Sequence, residues 1–387
     1  MKLLIVHNFY THLTGEDLSV KETSELLKNS REVEVVEYYK YSQDFREFSL
    51  LKKITALLKG NFPFYVPKDF RELLKREKPD LVQVHNFIPL INIWILKEIR
   101  KSRIPVLYFI HNYRMSCPRG SCFLSSRSHA KCFDRPLLFC VMNNCLGGLL
   151  YSALYAYRVF LQRLFSGYPD GFLSRSRFTS EFYKKTLPGK NIVDIKWHVD
   201  IPAGLKQARK EKGDFVVFAG RLVKEKGLFT VLQAAALLKD IKFKICGEGP
   251  MGNYSRRFVR RNGLTNVELL GLVEHGELLR IIRASRVLIF SSCWNEVSPR
   301  SLLEAMGLGV AVVAADFGVT PEIVKDGVNG LLYEVNNPAD LAEKVRRLFR
   351  DADLWEKISR NAAQVNSQNA PADYLRSLLS AYGSFLR

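Results

Sequence analysis

The chain predicts an α/β fold built as two doubly wound domains, and three observations carry that prediction. At 387 residues it is too long for one ordinary hydrophobic core and suits two domains of somewhat under ~200 residues each. Apolar runs of strand length alternate with helical segments, the pattern of parallel strands covered by helices on both faces. Gly15 and His111 each follow the carboxyl end of such a run, where doubly wound sheets bind their ligands.

Residues 2–6 read as the first strand, and Thr14-Gly15-Glu16-Asp17 opens a helix with a capping box. A second strand at 32–38 follows from Val-Glu-Val-Val alternation. Lys78-Pro79-Asp80 stops a helix ahead of a third strand at 81–86; a crossover helix at 90–100 leads to a fourth strand at 104–112. Residues 146–166 form an apolar, aromatic-rich helix. Arg158 and Arg163 interrupt it and make it unfit to span a bilayer, so it is either a core helix or one that dips into a membrane surface. Strands at 171–174 and 191–200 bracket a helix from Ser176 or Thr179 and close the first half. Residues 201–213, with Pro202, Gly204 and a Lys/Arg cluster, are the linker.

The second half begins with a strand at 214–219 that runs into Gly220-Arg221-Leu222, with Lys226-Gly227 just beyond. Arg221 offers a planar fork to phosphate oxygens and Lys226 a point charge beside it. After the next strand, Gly247, Gly249 and Gly252 spell G-x-G-x-x-G. A dinucleotide fingerprint would follow the first strand of its domain, with an acidic residue at a strand's carboxyl end; here the turn follows the second strand, and Glu268 lies early in its own.

The stretch between strands at 286–290 and 310–314 carries the most chemistry. Ser298 is placed to cap a helix and Pro299 fits its first turn, so the amides of Ser301, Leu302 and Leu303 are expected to face an anion. Glu296 lies just ahead of those donors and Glu304 eight residues later on the helix. Two carboxylates beside a phosphate-sized anion hole suit a ligand with hydroxyls on both sides of a phosphate, as a nucleotide sugar has.

The composition, 47% hydrophobic and 25% charged, is that of a soluble globular protein. The opening apolar run ends too soon for a signal peptide, which leads us to expect a cytoplasmic protein whose seven Cys are thiols. Five of those Cys fall within residues 113–145, but without a C-x-x-C pair or zinc-site spacing, so no metal site is expected there. The net charge of +19 is uneven: residues 97–196 hold 17 Lys and Arg against 5 Asp and Glu. Such a field attracts anionic lipid or nucleic acid.

The run Ser291-Ser292-Cys293-Trp294-Asn295-Glu296-Val297-Ser298-Pro299-Arg300-Ser301-Leu302-Leu303-Glu304-Ala305-Met306 resembles the signature of the retaining, nucleotide-sugar-dependent glycosyltransferases of the GT-B fold, fourth sequence family. Gly220-Arg221-Leu222 with Lys226-Gly227, Gly247-Glu248-Gly249-Pro250 and His111-Asn112-Tyr113-Arg114 extend the likeness over nearly the whole chain. The resemblance implies two Rossmann-like domains facing across a cleft: residues 1–203 on the acceptor side, 204–370 on the nucleotide-sugar side, and a terminal helix at 371–387 crossing back to the first.

It also implies roles. The loop of Gly15 approaches the diphosphate and acceptor, and His111 reaches the donor sugar. Gly247 and Gly249 border the base, Glu304 holds the ribose hydroxyls, and Glu296 binds the sugar close to the reacting carbon, as nucleophile or as orienting group. The partners so implied are a nucleotide-sugar donor, a saccharide or lipid-linked acceptor and an anionic membrane surface, with no nucleic acid, no cofactor and no metal. Two other readings remain: a sugar-nucleotide epimerase on the same fold, and a basic nucleic-acid-binding protein, which explains the charge but leaves the Glu pair unexplained.

Overall fold

The computed structural model describes residues 1–11, 14–42, 49, 65–88, 90–121, 123–124, 127–128, 137–205, 213–367 and 370–386. Cys122, Cys132 and most of the expected linker lie outside them. The chain divides into two compact units, one of residues 1–121, 130–197 and 371–387, the other of residues 122–129 and 198–370.

The first unit contains β1 (Lys2–Phe9), α1 (Gly15–Ser30), β2 (Glu34–Tyr41), α2 (Lys68–Glu77), β3 (Leu81–Asn86), α3 (Ile95–Lys101) and β4 (Val106–Phe109). A short hairpin, β5 (Phe123–Leu124) with β6 (Arg127–Ser128), follows in the chain but belongs to the second unit; the first unit continues with α4 (Leu137–Met142), α5 (Leu149–Leu164), β7 (Gly171–Ser174), α6 (Arg177–Thr186) and β8 (Ile192–Asp194). Its strands pair in parallel in the order β2-β1-β3-β4-β7-β8. Both faces of the central strands are covered, which is why β1, β3, β4 and β7 are nearly continuous buried runs. The expected capping box is present: Thr14 accepts from the Asp17 amide, and Asp17 takes the Thr14 amide in return.

Several elements are shorter than expected, among them β4, four residues of the expected 104–112, and α5, which lacks both ends of the expected 146–166. α3 begins at Ile95 because the Asn92 side chain accepts from the Trp94 amide, 3.1 Å, and holds the chain in a turn ahead of the helix. β8 ends at Asp194, well before residue 200.

The second unit contains β9 (Phe215–Ala219), α7 (Leu228–Leu237), β10 (Lys242–Cys246), α8 (Gly252–Arg261), β11 (Val267–Gly271), α9 (His275–Ala284), β12 (Val287–Phe290) and α10 (Arg300–Gly307). It continues with β13 (Ala311–Ala315), α11 (Thr320–Ile323), β14 (Leu331–Tyr333), α12 (Pro338–Arg350) and α13 (Ala352–Ser367). The strand order is β11-β10-β9-β12-β13-β14, all parallel. This is the doubly wound order, with its switch point between β9 and β12.

The terminal helix α14 (Pro371–Gly383) packs back on the first unit, as expected. Tyr374, Leu378 and Tyr382 are buried there with Leu3, Ile5, Leu107, Phe109 and Leu173.

Helix α5 does not pack as the core alternative of the two readings left open for residues 146–166 would have it. Leu149, Tyr151 and Phe160, which a core helix would bury, are exposed, while Arg158 is buried against the Tyr155 ring. Arg163 donates to the carbonyls of Met115 and Ser116, at 3.4 and 2.9 Å. The two arginines therefore serve the protein interior rather than the outer surface of the helix.

Candidate active site

The loops that follow β9 and β12 flank the switch point of the second unit. After β9 the chain makes a turn of 3-10 helix, Lys224–Lys226, and enters the left-handed region at Gly227 with φ +68°. A Cβ at Gly227 would lie 1.9 Å from the Ser291 carbonyl oxygen, so only glycine lets the two loops meet. They are then laced together. Ser291 Oγ donates to the Lys226 carbonyl at 2.7 Å, and the Cys293 amide to the Glu225 carbonyl at 2.9 Å.

That lacing places Lys226 against Glu296. Lys226 Nζ donates to Glu296 Oε1, and Ser292 Oγ donates to the same oxygen at 2.7 Å. Glu296 is buried, and its Oε2 takes no hydrogen bond among the described residues. The carboxylate is thus fixed by one oxygen and free to meet a ligand with the other. Lys226 Nζ also lies 5.9 Å from the centre of the Trp294 ring. Arg221 is largely exposed, its nearest carboxylate oxygen being Glu225 Oε1 at 3.6 Å.

Glu304 is the other carboxylate of the pair. On α10 its Oε1 accepts from Arg300 Nε at 2.6 Å and from His275 Nε2 at 2.8 Å. Arg300 was legible as a neighbour four positions back on the same helix, whereas His275 comes from the start of α9 and carried no local signal. The start of α10 differs from expectation. Pro299, not Ser298, precedes the first helical residue, and no side chain caps the helix. The Leu303 amide donates to the Pro299 carbonyl at 3.1 Å, so it is spent inside the helix; Ser301 and Leu302 hold the first-turn positions whose amides have no partner one helical turn back.

Gly247 and Gly249 have a structural reason of their own. Cβ atoms there would lie 2.0 Å from the Gly220 oxygen and 2.5 Å from the Leu222 oxygen, where the loop after β10 runs against the loop after β9. Leu222 and Glu248 share a backbone hydrogen bond of 2.8 Å across that contact.

In the first unit, Gly15 is the exposed first residue of α1, and Glu16 follows it. Glu16 Oε2 accepts from the Tyr10 hydroxyl at 3.1 Å and from Asn112 Nδ2 at 3.2 Å, while its buried Oε1 has no partner among the described residues. Burial pushes its carboxyl above the usual range. The sequence offered Glu16 only as part of a helix start, and its burial is a tertiary fact. His7 is fully buried and bonded to Asp17 Oδ1 at 2.9 Å, in the capping network of α1.

His111 is half-buried just past β4. Its Nε2 lies 2.7 Å from His85 Nδ1. Burial, then the neighbouring histidine and Arg175, hold the His111 imidazole well below the usual range. Of the cysteines in the stretch read for metal chemistry, Cys117 and Cys140 are buried and Cys145 is half-buried. Among the described residues no group of three or more metal-ligating side chains converges.

Comparison with known proteins gives this geometry a context. Residues 205–365 match the family model described as Glycosyl transferases group 1. An uncharacterised glycosyltransferase of Methanocaldococcus jannaschii is 33% identical over 167 residues, 42% of this chain and 46% of that protein. The alpha-D-kanosaminyltransferase of Streptomyces kanamyceticus is 28% identical over 155 residues, 39% of this chain and 40% of that one. The matched stretches thus span about half or less of these two relatives. Among solved structures, Anabaena HepE in complex with UDP-glucose superposes with a TM-score of 0.69 at 17% identity, covering 99% of this chain and 100% of that one. The sucrose-phosphate synthase of Thermosynechococcus elongatus gives 0.68 at 15%, covering 99% of each chain.

Proposed function

We propose that this chain, a GT-B-fold protein whose residues 205–365 match the glycosyl transferases group 1 family, moves a sugar from a nucleoside diphosphate sugar to an acceptor hydroxyl with retention of anomeric configuration. The observation that carries the proposal is the Lys226, Ser292 and Glu296 cluster at the switch point, beside the start of α10. Lys226, Arg221 and the amides of Ser301 and Leu302 neutralise the leaving diphosphate, so that charge developing in the transition state meets donors already in place. Glu304, held by Arg300 and His275 through Oε1, offers its other oxygen to the ribose hydroxyls. Glu296 binds the donor sugar near the reacting carbon. Gly15 is assigned to the diphosphate approach and His111 to the donor sugar. No metal or cofactor takes part, because the basic groups carry the charge.

The test is a thermal-shift panel of UDP-, GDP- and ADP-sugars followed by product analysis with the donor that binds, run with and without EDTA. A glycosylated acceptor formed at the same rate in both is expected. An epimerised sugar nucleotide in its place favours the epimerase reading, and loss of activity in EDTA restored by a divalent ion sinks the metal-free mechanism.

A second observation bears on where the protein works. Eight of the thirteen exposed large apolar side chains among the described residues fall between Leu138 and Leu164, with Met142 75% and Leu150 86% exposed. On α5, Leu150, Tyr157, Phe160 and Leu164 recur at helical spacing on one face, while Ser152, Arg158 and Gln162 are buried. An apolar stripe of this kind is expected to be covered. No described helix is long and apolar enough to cross a membrane. We infer peripheral attachment of α4 and α5 to an anionic membrane on its cytoplasmic face, and a saccharide or lipid-linked acceptor of the cell envelope. Leu150→Glu with Phe160→Glu is expected to weaken sedimentation with anionic vesicles by roughly tenfold or more. Equal binding to anionic and neutral vesicles at low salt, or an unaffected double variant, would remove the membrane from the proposal.

A further inference from the structure

Four side chains of the first unit form one hydrogen-bonded file, and three of them, Tyr382, Gln83 and His85, have no part in the transfer chemistry described above. The Tyr382 hydroxyl on α14 donates to Gln83 Oε1 at 2.6 Å, Gln83 Nε2 lies 2.8 Å from His85 Nε2, and His85 Nδ1 lies 2.7 Å from His111 Nε2. Gln83 and His85 stand two residues apart on β3 and so share a face of the sheet. Phe109 stacks on both imidazoles, with ring centres 5.0 Å from His85 and 4.5 Å from His111, and hinders either from turning out of line.

In such a file every link needs one donor and one acceptor, so fixing one end fixes all of it. Tyr382 is fully buried, and burial keeps its phenol protonated. Among the described residues its hydroxyl has a single hydrogen-bond partner, Gln83 Oε1. Turning the amide over would set an NH2 against the hydroxyl and strand the phenol proton without an acceptor. With Oε1 toward Tyr382, the Gln83 NH2 donates to His85 Nε2. His85 then carries its proton on Nδ1 and donates it to His111 Nε2, which leaves the His111 proton on Nδ1.

We propose that Tyr382 is a positioning residue for His111: acting through Gln83 and His85, it holds the His111 ring in the tautomer protonated on Nδ1, so that His111 presents a hydrogen-bond donor to a ligand oxygen. The proposal rests on the reading of His111 as the group that meets the donor sugar. It adds that a residue of the terminal helix, 299 positions from Gln83, decides what His111 offers.

The test uses the full chain labelled with 15N-histidine, because long-range 1H–15N spectra separate the two neutral tautomers. His111→Gln identifies the signals of that ring. The wild type is expected to show His111 protonated on Nδ1 alone. Tyr382→Phe removes only the hydroxyl, and Gln83→Met removes the amide. Each should turn the His111 signal into a mixture of tautomers and lower kcat by about tenfold while the donor KM moves by less than about twofold. Tyr374→Phe is the control: it removes a hydroxyl from the same helix that is bonded to Arg175 and Thr23, each at 2.9 Å, and should leave the tautomer alone. An unchanged tautomer in both file variants, or the same mixture in Tyr374→Phe, overturns the proposal. If the tautomer shifts in the file variants but no nucleotide sugar binds the wild type, the file stands and the transferase reading falls.

Discussion

Glu296→Gln and Lys226→Ala are each expected to slow transfer by about 10²- to 10³-fold in a protein that still folds, the scale of losing one preorganised charge at a reacting centre. The glutamine keeps the shape of the side chain but removes the charge that Lys226 and Ser292 hold in place on Oε1. Removing Lys226 takes away the cation that the proposal assigns to the leaving diphosphate and leaves the buried Glu296 with the Ser292 bond alone. Arg221→Lys is expected to fall in the same direction, because an ammonium cannot reproduce the planar fork. Initial rates with the donor selected by the panel, beside circular-dichroism melts, measure both effects. Wild-type rates in all three variants would end the assignment of the site.

Gly227→Ala should be the most damaging single methyl group in the second unit. At φ +68° an alanine is strained by about 1–3 kcal/mol on backbone grounds alone. Its Cβ would also lie 1.9 Å from the Ser291 carbonyl oxygen, a backbone atom that cannot swing aside. The loops would have to separate, and with them the Lys226 and Glu296 pair. A loss of about 3 kcal/mol or more, or roughly 6–12 °C in melting temperature, is expected together with loss of activity. Gly263 is the control, since it has φ +58° but nothing within 4 Å of a built Cβ. Gly263→Ala should cost only the backbone term. A Gly227→Ala protein that melts with the wild type and retains its rate would show that the two loops do not need to touch.

What the sequence determined by itself is what short-range rules govern. The buried parallel strands read as apolar runs because both of their faces are covered. The capping box of Thr14 and Asp17 read correctly because its partners are three residues apart. The glycines at 227, 247 and 249 were visible as motif positions, although the close backbone contacts that require them were not. Tertiary structure decided the rest, for reasons of distance along the chain and of which face turns inward. Lys226 meets Glu296 only because β9 and β12 are neighbours at the switch point, which joins loops 70 positions apart. His275 reaches Glu304, and Tyr382 reaches Gln83, across intervals that no periodicity encodes. Helix α5 is apolar on more than one side, so its composition could not say which side is covered. Packing answered by burying Arg158, against the Tyr155 ring, and Gln162, by turning Arg163 to the Met115 and Ser116 carbonyls, and by leaving Leu150 and Phe160 exposed.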